Sequence, residues 1–106
     1  MDDHAINKRM AEIAFVKVRE GRGPGGARAW HLTTPGFPLW DPVNDWGQAG
    51  PLLRSCSFRQ MRLRGGGESA SVRYHGTGRV GLCEDGGTQL RSICLALIDA
   101  NEEGEA

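Results

Sequence analysis

Leu90, Ile93, Cys94, Leu97 and Ile98 fall at i, i+3, i+4, i+7 and i+8, which gathers them on one broad apolar stripe of a helix. The spacing predicts a helix over about residues 88–101. Thr88 is the expected N-cap, and the acids around and after Asn101 oppose the dipole at its end. So wide a stripe has to be buried against other elements. A second stripe opens the chain, where Ile6, Met10, Ile13 and Ala14 share one face while Asn7, Lys8, Arg9 and Glu12 fill the other. It predicts a helix over about 3–15, capped by Asp2 or Asp3.

Between these helices the period changes. Residues 27–33, ARAWHLT, alternate Ala27, Ala29, His31 and Thr33 against Arg28, Trp30 and Leu32, as a strand does. Residues 58–64 and 69–75 read as a hairpin turning at 65-GGGE-68, with Met61, Leu63, Val72 and Tyr74 expected inward. A third strand over 79–83 is expected to turn Val80 and Leu82 inward, weakened by Gly76, Gly78 and Gly81. A short middle helix is expected over about 46–55, where Pro51 forces a bend or a restart at a first helical position. The loop 21-GRGPGG-26 lacks the G-x-G-x-x-G spacing and strand-loop-helix setting of a dinucleotide site.

Helices at both ends with strands between them predict an α+β fold. The expectation is a small, mostly antiparallel sheet packed between the N- and C-terminal amphipathic helices, α/β/α sandwich-like, with the short middle helix at its side. A chain of 106 residues supports one such core. Residues 1–101 are expected to form a single domain, and 102-EEGEA-106 a disordered acidic tail.

Thirteen bases balance thirteen acids, so no global charge argues for nucleic acid. The distribution is uneven, however: six arginines lie from Arg54 to Arg79 with Glu68 as the only acid among them. Three cysteines, Cys56, Cys83 and Cys94, without C-x-x-C spacing support neither a disulfide framework nor structural zinc. Residues 1–14 lack the apolar region of a signal peptide, and no apolar run approaches the ~20 residues of a membrane span. The expected location is the cytoplasm, with no membrane partner.

The densest motif is 40-WDPVNDW-46. Asp41 is held extended by Pro42, and Asn44 or Asp45 can cap the helix that follows, with Trp40 and Trp46 as anchors on either side. Read functionally, Asp41 and Asp45 would bind a cation or act as a carboxylate pair, yet no third carboxylate or histidine is near in sequence. His4, His31 and His75 are dispersed, which points to no metal site and no cofactor. The serines of 55-SCS-57 have no adjacent base.

The surface feature with chemical content is the arginine face expected on the hairpin, made of Arg62, Arg64 and Arg73 with His75. Like charges side by side in a ladder are unfavourable unless solvent, the acidic tail or an anionic partner offsets them. Burying them under a helix would cost still more. The hairpin is therefore expected to project past the helices or to be covered on one face only.

Three stretches, 6-INKRMAE-12, 41-DPVNDWGQAGPLL-53 and 90-LRSICLALI-98, give the chain a resemblance to the phage ABA-sandwich domain family. The middle stretch matches that family's pattern at Asp41, Pro42, Asn44, Gly50-Pro51 and Leu52-Leu53. It departs at Val43, where the family has Cys, at Asp45 for a second Asn, and at Gly47-Gln48 for Ala-Asp. The resemblance implies the sandwich fold and a phage or prophage origin, and it implies no reaction. The resulting expectation is a non-catalytic interaction protein that binds a host or phage protein. The alternatives are a nucleic-acid-binding module using the arginine face and, behind it, a hydrolase-type enzyme.

Overall fold

The structure is a computed structural model and describes residues 1–103. The chain runs α1 (Asp3–Ile13), β1 (Val18–Arg22), β2 (Arg28–Leu32), β3 (Leu39–Trp40), α2 (Trp46–Ala49), β4 (Cys56–Arg62), β5 (Glu68–Tyr74), β6 (Val80–Cys83) and α3 (Gln89–Glu103). This is the α+β architecture read from the periodicities, with terminal helices flanking the strands. The strands divide into two antiparallel three-stranded sheets, β1-β2-β3 and β4-β5-β6. Residues 102 and 103 continue α3 rather than starting a tail, while 104–106 lie outside the described residues.

α3 is the centre of the core. Ile93, Cys94, Ala96, Leu97, Ile98 and Ala100 are all buried, because one side of the helix lies on β5 and β6 and another meets α1. Thr88 caps it as expected, its Oγ1 accepting from Arg91 N–H at 3.3 Å. α1 contributes Ile6, Met10 and Ala11 and is capped by Asp2, whose Oδ1 accepts from Ala5 N–H at 2.8 Å. It ends where Val16 N–H reaches Ala11 O and Phe15 N–H reaches Glu12 O, a Schellman closure. That closure puts Phe15 at φ 56°, a left-handed conformation usual for glycine, and leaves its ring in solvent.

The hairpin β4–β5 corrects the expected register. Residues 64–66 make its turn, closed by Leu63 N–H to Gly67 O at 2.7 Å, and Arg62 pairs with Glu68. A turn at 65–68 would have paired Arg64 with Ser69, so the observed ladder has the opposite parity. Met61 therefore points outward with Ser69, while Ala70 and Val72 point to α3. β6 is reversed in the same way. Gly81 faces the core and Leu82 faces solvent, because a Cβ on Gly81 would overlap the backbone of Ala96 and Ala100 in α3. The glycine that reads as a weakness is where the helix backbone meets the strand.

The first sheet meets α1 through tryptophans. Trp30 stacks on His4 with centroids 4.6 Å apart and donates from Nε1 to His4 O at 2.8 Å. Trp40 donates from Nε1 to Asn7 O, also at 2.8 Å.

Candidate functional site

Two regions carry the residues singled out by the sequence. In the first, 40–48, side chains are consumed by the fold. Asp41 Oδ1 accepts from Asn7 Nδ2 at 2.8 Å, and its carboxylate also accepts from Asn44 Nδ2. Val43 N–H donates to Asn7 Oδ1 at 3.2 Å, and Asp41 N–H donates to Gln48 Oε1 at 2.6 Å. Asp45 is the N-cap of α2, accepting from Gly47 N–H at 2.8 Å, and Pro42 is buried. Trp40 is an anchor, whereas Trp46 is 44% exposed. Asn7 belongs to one of the stretches that carry the family resemblance and Asp41 to another, and the two meet here as a clamp between α1 and the start of α2. Asp41 and Asp45 serve different hydrogen bonds and do not act as a pair.

The second region is the outer face of the sheet β4-β5-β6. α3 covers the inner face, and no element covers the outer one among the described residues. The expectation that the hairpin is covered on one face only agrees with this arrangement. The outer face carries Ser57, Arg59 and Met61 from β4, Ser69, Ser71 and Arg73 from β5, and Leu82 from β6. Met61 is 66% and Leu82 62% exposed, and the ladder sets a serine opposite each of Arg59, Met61 and Arg73. These side chains line two adjoining shallow concavities that run across the sheet.

The four residues expected to form one anionic-partner face do not sit together. Arg73 and His75 are on the outer face, but Arg62 has the parity of the inner face, beyond the end of α3, and pairs with Glu68 at 3.4 Å. Arg64 lies in the turn. The residue that joins Arg73 on the outer face is Arg59, diagonal to it across the ladder, and it was hidden by the one-residue register difference. Neither Arg59 nor Arg73 makes an ion pair among the described residues.

The other chemistry-bearing groups are separate. Ser57 does have a base in space: its Oγ lies 2.9 Å from His75 Nε2, although no third group bonds that ring among the described residues. His31 sits with its nitrogens 3.1 and 2.9 Å from the carbonyl oxygens of Phe37 and Arg22. Burial pushes the Cys94 thiol up to about 12 and raises Cys56 and Cys83 as well, so none supplies a thiolate near neutrality. Among the described residues no cluster of His, Cys, Asp or Glu could hold a metal, and no helix is long and apolar enough to cross a membrane. No family model, curated protein or solved structure matches the chain.

Proposed function

We propose that this protein is a non-catalytic interaction module that docks another protein on the open face of its second sheet. The observation that carries the reading is the bare outer face itself, where Met61 and Leu82 stand exposed beside Arg59 and Arg73, which make no ion pair among the described residues. Methionine and arginine are enriched at protein interfaces, and exposed apolar residues rimmed by polar ones mark docking surfaces. Against a nucleic-acid reading, this face lacks the aromatic platforms on which bases stack. Against a hydrolase, Asp41 and Asp45 are bound into the fold, and the Ser57–His75 pair has no orienting partner. The resemblance to phage ABA-sandwich domains makes a host or phage protein in the bacterial cytoplasm the expected partner.

The test is capture from a nuclease-treated bacterial lysate by the native protein and by a variant carrying Met61→Asp with Leu82→Asp. A protein retained by the native chain and lost with the variant is the expected result. Capture of nothing, capture unaffected by the variant, or capture abolished by the nuclease step would each overturn the reading.

A further inference from the structure

The two edges of the second sheet are finished differently. On the β6 edge, Leu82 N–H donates to Asp99 Oδ2 of α3 at 2.8 Å, so a helix side chain occupies a position where another strand would bond. On the β4 edge the alternation of the ladder decides which groups are spare. Tyr74 N–H donates to Arg79 O, on the β6 side, while His75 N–H and Leu63 N–H bond across the β4–β5 pair to Ser55 O and Gly67 O. Odd-numbered residues of β4 therefore bond to β5, and Phe58, Gln60 and Arg62 turn their N–H and C=O groups away from it. No strand lies on that side, and no other bond to these backbone groups exists among the described residues.

The side chains along this edge state what could pair with it. Arg59, Arg62 and Arg64 crowd its C-terminal half; Glu68 faces Arg62, Glu84 shares the concavity of Arg59 and Asp85 lies against Gly67 of the turn, yet of the three arginines only Arg62 makes an ion pair among the described residues. Phe58, 45% exposed, and Met61 give the edge an apolar contact on each face of the sheet. A second copy is a poor occupant, since β4, CSFRQMR, carries no acid and self-pairing in any register brings its arginines no counter-charge.

We propose that β4 is a docking edge, and that it takes up an extended acidic segment of the partner protein as a fourth strand. Main-chain bonds to Phe58, Gln60 and Arg62 supply affinity, while the acids of an alternating strand meet Arg59 on the outer face and its apolar residues meet Phe58 on the inner one. This deepens the interaction reading above and rests on it.

The probe is a labelled peptide of about nine residues alternating glutamate and valine, matched to a typical strand. Its companions are a version N-methylated at alternate residues and a lysine-valine version. Binding is followed by fluorescence anisotropy and by amide hydrogen exchange of the full chain. The expected result is binding that slows exchange at Phe58, Gln60 and Arg62, is lost on N-methylation and is absent for the lysine peptide. Arg59→Glu, on an exposed side chain, should weaken it roughly tenfold or more. No binding by the acidic peptide would overturn the proposal. So would binding indifferent to N-methylation that perturbs Met61 and Leu82 instead, an outcome that leaves the open-face reading standing. Concentration-dependent dimers that protect the same three amides would overturn it in favour of a second copy.

Discussion

The first sheet is joined to its helix by polar stitches from tryptophans, and the second by a close backbone approach at Gly81 with polar bonds at its margins. Trp30 and Trp40 reach from the first sheet to carbonyls of α1, and Asn7 on α1 reaches back to Asp41 and Val43. These bonds have direction and fix one arrangement, but they consume the polar groups of the region that looked most like a site. The second sheet meets α3 at Gly81, where the strand comes against the helix backbone, and of its outward polar side chains Arg59 and Arg73 make no bond among the described residues.

The comparison breaks first at Gly81. Gly81→Val should force β6 off α3 and cost about 3 kcal/mol, seen as a fall of more than ~10 °C in Tm. A change of only a degree or two would mean that the close approach is not what joins them. On the other side, Asn7→Ala leaves the buried Val43 N–H without its partner and the Asp41 carboxylate with Asn44 alone, so a loss of about 2 kcal/mol is expected in urea titration. An effect below ~0.5 kcal/mol would reduce the clamp to an incidental contact.

Cys94 lies on the helix that holds both halves. Its thiol stays protonated in the folded chain to about 12, whereas an unfolded thiol ionises from about 9. The unfolded state therefore loses its proton first as pH rises, and stability must fall above pH 9 rather than increase. Roughly 1–2 kcal/mol should be gone by pH 10, read from urea midpoints at pH 7 and 10. If stability is flat over that range, the thiol is not sealed as described.

Smaller effects sharpen the picture. Phe15→Gly should raise stability by about 0.5–1 kcal/mol, since glycine accepts the left-handed turn that ends α1. Met61→Lys should change stability by no more than ~0.5 kcal/mol, as befits an outward side chain. A loss of 2 kcal/mol or more would restore Met61 to the core and with it the register read from the sequence.

That register marks where sequence reasoning stopped. The stripe of α3, its Thr88 cap, the Asp45 cap, the restart at Pro51 and the existence of the hairpin were all legible, because each depends on residues within one or two turns of each other. The faces of β5 were legible too, with Val72 and Tyr74 inward, but those of β4 were not, since they depend on whether the turn spans 64–66 or 65–68, and several glycines in a row allow both. Arg73 and His75 were assigned to the open face, but Arg59 and Leu82 were missed for that reason. Asn7 read as part of the polar side of α1. Only the distant Asp41 and Val43 make it a buried residue, and no local pattern records that. β1 was obscured by its own composition, VREGR, which has one apolar side chain to alternate.

The position of α3 in the chain carries a consequence for synthesis. α3 follows both sheets, so on the ribosome β4, β5 and β6 emerge before the helix that covers them. β5, the middle strand, buries only Ala70 and Val72, so the sheet has a thin apolar face until α3 covers it. The hairpin with its unprotected β4 edge is thus exposed to neighbouring nascent chains until residue 103 has cleared the exit tunnel. Ribosome-bound chains halted at residue 88 should be far more sensitive to protease across residues 56–83 than chains extended past 103 by a linker. Equal protection in the two would mean that the second sheet forms without its helix.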